Sequence, residues 1–100
     1  MQTQTVTLVR LYLTEAEQQL KPLLRYLHED SHVSGVTVFR AVSGFGLSGK
    51  IHESHLLDLS LDLPLVVEFF DRPDKIQTLL PQLKQYVKPN HMLYWTAQQS

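Results

Sequence analysis

Leu61–Phe70 reads L-D-L-P-L-V-V-E-F-F. Asp71-Arg72-Pro73-Asp74 leads from it into K-I-Q-T-L-L-P-Q-L-K-Q-Y-V, which ends at Val87. The first run is apolar and rich in β-branched and aromatic residues, so it predicts a strand with Pro64 near its start or on an edge. In the second, Ile76, Leu79, Leu80, Leu83 and Val87 recur at helical spacing and predict an amphipathic helix. Asp71 is in place to cap that helix, with Asp74 three residues on. Pro81 lies inside and predicts a kink. Pro89-Asn90 stops the helix, and His91–Thr96 supplies a short last strand before a polar tail, residues 97–100, expected to fray.

Working outward, the first half of the chain repeats this order. Thr5–Leu13, T-V-T-L-V-R-L-Y-L, predicts a strand covered on both faces. Leu20, Leu23, Leu24 and Leu27 follow helical spacing up to Asp30, with a start near Lys21 because Pro22 suits a first turn. Ser34-Gly35 breaks the pattern, and Val36–Val42 is a second strand. Two β-α-β halves of this size predict an α+β fold, a ferredoxin-like β-α-β-β-α-β sandwich in one domain, residues 1–100. Its four-stranded antiparallel sheet carries both helices on one face. Ser43–Ser60 joins strands two and three, a connection far longer than a hairpin needs.

Composition narrows the function. With 100 residues, 43% hydrophobic, the chain suits a single globular core. A net charge of -1 argues against non-specific nucleic-acid binding, so no nucleic-acid partner is expected. The lack of cysteine excludes thiolate chemistry and fits a reducing cytoplasm. No apolar run is long enough to span a membrane, and M-Q-T-Q-T-V-T-L-V-R-L-Y-L lacks the layout of a signal peptide.

Strand alternation assigns faces. Val9, Leu11 and Leu13, then Thr37, Phe39 and Ala41, then Leu65, Val67 and Phe69 are expected under the helices. The other face then carries Leu8, Arg10 and Tyr12, with Val36, Val38, Arg40 and Val42, and with Val66, Glu68 and Phe70. An apolar face of this kind marks an interface. The expected oligomer contact is Arg10, Tyr12, Val38, Arg40, Glu68 and Phe70, with the two arginines and the glutamate satisfying one another.

All four glycines, Gly35, Gly44, Gly46 and Gly49, cluster in one short stretch, and the rest of the chain has none. Gly44, Gly46 and Gly49 spell G-x-G-x-x-G after a strand, but too little chain surrounds them for a dinucleotide-binding domain. Backbone N–H groups around such glycines can form an anion nest, with Lys50 and Arg40 supplying charge. A connector whose glycines only turn the chain reads equally well here. His52 and His55, three apart, could ligate a divalent metal, whereas His28 and His32 suit a helix C-terminus. Ser43, Ser48, Ser54, His52, Asp58 and Asp62 permit a serine–histidine–aspartate count but form no nucleophile motif. Tyr94-Trp95 reads as packing, not as a platform for bases.

Taken together, Val36–Gly46 (V-T-V-F-R-A-V-S-G-F-G), Lys50–His52 (K-I-H), Asp62–Asp71 (D-L-P-L-V-V-E-F-F-D) and Lys75–Leu83 (K-I-Q-T-L-L-P-Q-L) resemble the PII-like proteins of domain-of-unknown-function family 190. Leu8–Leu13 and Lys21–Leu24 fit the same pattern, so the resemblance covers about Leu8 to Val87. It implies a trimer with the sheets lining its inside and adenine nucleotides bound in clefts between subunits. It also implies a loop after strand two, the T-loop, that docks on a partner such as a membrane transporter or channel. Gly44, Phe45 and Gly46 match the family's G-F-G, and Lys50, Ile51 and His52 its basic-Ile-His. Glu17–Lys21, E-Q-Q-L-K, lacks the glycine of the family's acidic-Gly-Lys approach to the first helix. The expected protein is a cytoplasmic, non-enzymatic homotrimer that binds a nucleotide or other small anion through Arg40, Gly44, Phe45, Gly46, Lys50 and His52. The alternative is a divalent-metal-binding trimer of the copper-tolerance type, through His52 and His55.

Overall fold

The structure is a computed structural model describing residues 2–14, 17–45, 51–53 and 63–100, with 43–45 and 51–53 described by their backbone alone. In chain order it contains β1 (Gln4–Thr14), α1 (Leu20–Arg25) continued by a π-helical turn (Tyr26–Asp30), β2 (Val36–Arg40), β3 (Ser43–Phe45), β4 (Ile51–Glu53), β5 (Pro64–Asp71), α2 (Pro73–Leu83) and β6 (Met92–Gln99). Four strands form one sheet in the order β2-β5-β1-β6, every neighbouring pair antiparallel. This is the ferredoxin-like arrangement expected from the order of elements.

Both helices lie on one face. Val9, Leu11 and Leu13 of β1 and Leu65, Val67 and Phe69 of β5 meet Leu23 and Leu27 from the first helical segment. Ile76, Leu79, Leu80 and Leu83 of α2 complete the same core. These are the alternating strand positions and helical stripes that the sequence shows. Pro64 is the first residue of β5, an interior strand, where its missing N–H costs no ladder bond, and its carbonyl accepts the N–H of Ala41 at 2.9 Å.

Several expectations are corrected. The face assignment of β2 is reversed. Val36, Val38 and Arg40 stand opposite Phe69, Val67 and Leu65, while Thr37 and Phe39 stand opposite Glu68 and Val66. Directly opposed residues share a face, so Phe39 joins the open face, and Val38 and Arg40 lie on the helix side. The strand also stops at Arg40, and Val42 is 77% exposed. α2 ends at Leu83, two residues past Pro81, and Val87 packs on the core from beyond the helix. Tighter bonds from Gln85 N–H to Gln82 and from Tyr86 N–H to Leu83 follow it. The N-cap of α2 is Arg72, with Pro73 in the first turn, and Asp71 belongs to β5.

Polar residues 97–99 are strand, not a frayed tail: Ala97, Gln98 and Gln99 pair with Val6, Thr5 and Gln4. The amide of Gln98 donates to the Thr5 hydroxyl at 3.2 Å, so this polar segment is matched by a polar partner. Gly35 has open space around its Cβ position and no left-handed φ, so the turn does not require glycine. Among non-glycine residues, the left-handed positions are Gln18, His32 and Asn90, with φ of 58°, 55° and 67°.

Candidate functional site

Two regions concentrate chemistry that the core does not use. The first is the sheet face turned away from the helices. β1 contributes Leu8, Arg10 and Tyr12 to it, β5 contributes Val66, Glu68 and Phe70, and register adds Leu93 and Trp95 of β6 opposite Arg10 and Leu8. Phe39, Leu93 and Trp95 are 49%, 49% and 41% exposed in the protomer, so the face is both apolar and accessible.

A charge pair sits in the middle of this face. Arg10 donates from Nε and Nη2 to Glu68 Oε1 at 3.0 and 2.6 Å, and its guanidinium lies 5.4 Å from the centre of the Trp95 ring. The Glu68 bond, followed by that of Tyr12, raises the Arg10 pKa above its ordinary value, so this guanidinium stays charged. The structure therefore brings together Arg10, Tyr12, Glu68 and Phe70 of the expected contact. It separates Val38 and Arg40 from them, because the β2 register turns both to the other face. Of the expected arginine–glutamate trio, Arg10 and Glu68 share a face and Arg40 lies across the sheet. Alternation alone assigns Phe39 to the core, and the lone Tyr94-Trp95 pair reads in the sequence as packing. The signal for Trp95 is its parity with Leu8 once β6 pairs with β1.

The second region is one end of the sheet. Thr14 stands opposite Pro64, Arg40 opposite Leu65 and Leu11 opposite Met92. The end of β2, the start of β5, the β1–α1 connection and the α2–β6 connection therefore all meet at this end. Two of these links are tied by an ion pair, Lys88 Nζ to Glu17 Oε1 at 3.3 Å, and each contains a left-handed residue, Gln18 or Asn90. The α2–β6 link is fixed to β1 by the Tyr12 N–H bonded to the His91 carbonyl at 2.9 Å, and His91 Nδ1 bonds the Pro89 carbonyl at 2.8 Å.

β2 leads at this end into the β3–β4 pair, where Gly44 stands opposite His52 and Phe45 opposite Ile51. Gly44 and Phe45 of the G-F-G thus meet His52 and Ile51 of the basic-Ile-His through backbone pairing, which replaces part of the expected connector with a short two-stranded ladder. Gly46, Lys50 and His55 lie outside the described residues, as do Gly49, Ser48, Ser54, Asp58 and Asp62. Lys88, Asn90 and His91 are legible in the sequence only as a helix stop, K-P-N-H. The proline–asparagine turn is the signal that a cation and a left-handed residue sit together. Among the described residues no group of three or more metal-ligating side chains is placed to hold an ion. His28 lies in the π-helical turn and His32 just beyond it, at the helix C-terminus.

Comparison with known proteins agrees with this architecture. A family model described as DUF190, Uncharacterized ACR, matches residues 6–99. A UPF0166 protein of Aquifex aeolicus is 37% identical over 81 residues, covering 77% of this chain and 77% of that protein. A second UPF0166 protein, from Methanocaldococcus jannaschii, is 28% identical over 94 residues, covering 89% of this chain and 85% of its own. Among solved structures, CPII of Thiomonas intermedia K12 bound to ADP and bicarbonate superposes with a TM-score of 0.65 at 17% identity. That match covers 98% of this chain and 89% of CPII. A putative PII-like signaling protein of Thermus thermophilus gives 0.66 at 15% identity, covering 99% and 91%. With a four-stranded sheet, two helices on one face and a family match that spans nearly its whole length, the chain belongs to the DUF190 family and has the fold of the PII-like proteins.

Proposed function

We propose that this protein is a cytoplasmic, non-enzymatic PII-like regulator. In this reading it assembles as a homotrimer through its open sheet face and binds an adenine nucleotide or similar small anion between protomers. The observation that carries the reading is the end of the sheet beyond Arg40. There Gly44 and Phe45 pair with His52 and Ile51, at the same end of the sheet as the links holding Lys88 and Asn90, in a fold shared along its length with a protein seen bound to ADP and bicarbonate. Arg40 and Lys50 supply positive charge to the phosphates, Gly44, Phe45 and Gly46 supply backbone, and His52 adds a hydrogen-bonding ring. Ligand contacts would favour one arrangement of residues 43–60, the T-loop of this fold. That shift in population sets whether the loop engages a partner such as a membrane transporter or channel. No helix among the described residues is long and apolar enough to cross a membrane.

Calorimetric titration with ATP, ADP and AMP, each with and without bicarbonate, tests this reading. The expected result is saturable binding of at least one nucleotide, weakened by Arg40→Ala and Lys50→Ala. Absence of heat and of any thermal shift with all of them at millimolar concentration overturns the nucleotide reading.

A further inference from the structure

The ion pair between the β1–α1 and α2–β6 links is lopsided. Lys88 Nζ lies 3.3 Å from Glu17 Oε1, with the lysine side chain 65% exposed and the glutamate 15%. Toward solvent the pair therefore presents its cation and conceals its anion. Each link also carries a residue at positive φ, Gln18 at 58° and Asn90 at 67°. Side-chain-bearing residues persist in that conformation where their surroundings over-determine it, and they gather at binding sites. The backbone of Lys88 is fixed without help from the ion pair. Its carbonyl accepts the His91 N–H at 3.2 Å, and the His91 carbonyl accepts the Tyr12 N–H of β1 at 2.9 Å. The lysine side chain can thus leave Glu17 while the link that carries it stays in place. An ion pair that solvent reaches from one side is weak and exchangeable, and an ammonium offers three donors to whatever oxygens approach it.

We propose that Glu17 is a tethered competitor for the anionic ligand: its carboxylate holds Lys88 when no ligand is bound, and the ligand's phosphate groups must take the lysine from it. This deepens the anion-binding reading above and rests on it. The ligand class that wins the exchange is a polyanion. Glu17 offers a single charge from the covered side, whereas a diphosphate brings several oxygens and more than one charge to the exposed side of the same ammonium. A small monoanion carries no more charge than Glu17 already supplies, so the exchange favours phosphate groups. Each ligand that takes Lys88 leaves a largely covered carboxylate without its cation, and that cost is subtracted from the binding free energy. Glu17 therefore sets affinity without touching the ligand.

The pattern of variants that follows separates competition from two simpler roles. Glu17→Gln frees the lysine and should tighten binding about two- to fivefold, the range set by an ion pair open to solvent. A carboxylate that only oriented Lys88 toward the ligand would act the opposite way, and its loss would weaken binding. Lys88→Met should weaken binding about threefold or more. In the Lys88→Met background, Glu17→Gln should change nothing further, because no cation is left to compete for. Plain repulsion between the carboxylate and an anion would persist there.

Calorimetric titration with ADP, and with pyrophosphate as a polyanion that has no base, reads the native chain, both single variants and the double variant. Circular dichroism confirms that each is folded, and Lys88→Gln takes the place of Lys88→Met if the latter does not fold. Absence of heat with both probes in all four proteins refutes the anion-binding reading, and this proposal with it. Native chain that binds, with Glu17→Gln binding equally or more weakly, overturns the competitor and leaves anion binding standing. A gain from Glu17→Gln that is just as large without Lys88 does the same.

Discussion

Asp71→Asn should destabilise the protein, and its effect should vanish in acid. Asp71 closes β5, and its side chain is only 11% exposed. Burial pushes its carboxyl up. The Arg72 N–H, which donates to it at 2.8 Å, and the ammonium of Lys75 at 3.1 Å outweigh that and hold it below the usual carboxylate range. Lys75 also donates to the His32 carbonyl at 2.8 Å, so this one carboxylate helps fasten the exit of the first helix to the entry of the second. Asparagine keeps an acceptor for Arg72 but loses the charge, so the cost is the charge-assisted part of two interactions, about 1–2 kcal/mol. For a domain of this size that lowers Tm by about 4–16 °C.

The sign of the pH dependence follows from the lowered value. The unfolded chain binds the proton more tightly than the native one. Asp71 therefore contributes its full stabilisation above the unfolded carboxyl pKa of about 3.9 and loses it as pH falls through the lower native value. Thermal unfolding of native and variant chains, followed by circular dichroism at fixed protomer concentration, should show a full gap at pH 7 that closes progressively below about pH 4. Lys75→Met should cost a similar amount, and the double variant less than the sum. A gap that stays constant down to pH 2, or is absent at pH 7, refutes the assignment.

Gly35→Ala should stabilise the chain by about 0.4–1 kcal/mol in urea unfolding, because the site is open and its φ is not left-handed. Phe69→Ala, in the fully packed centre of β5, should cost about 3–5 kcal/mol in the same measurement. Phe39→Asp should raise the dissociation constant of the assembly about tenfold or more in sedimentation, whereas Val38→Asp, on the other face of β2, should not.

The fold is readable because its two interior strands carry opposite demands on their two parities. In β1 and β5 the fully apolar positions alternate with Arg10, Tyr12 and Glu68, so the buried set is unambiguous and the helical stripes of Leu23, Leu27, Ile76 and Leu83 find it directly. Helix ends are less readable, because a proline such as Pro81 marks where a helix weakens and not whether it bends or stops. The polar run 97–99 carries no apolar signal for a strand, since its pairing rests on mostly polar residues at the start of β1.

β2 shows why the site is harder to see than the fold. In V-T-V-F-R-A-V both parities are largely apolar, and an edge strand packs against a neighbour on one side only. Nothing within those residues therefore sets the phase. The phase comes from the pairing of Val36 with Phe69 and of Arg40 with Leu65, continued by the Ala41–Pro64 bond. That pairing brings together residues far apart in the chain, across the long segment that separates the two halves. A one-residue slip in it exchanges Phe39 for Val38 on the open face and carries Arg40 across the sheet. The same slip decides whether Arg40 faces a second copy beside Glu68 or stands on the helix side as the chain enters the G-F-G strand. The open face and the end of the sheet that leads into Gly44 and Phe45 are thus divided by the register of one edge strand, which local alternation could not supply.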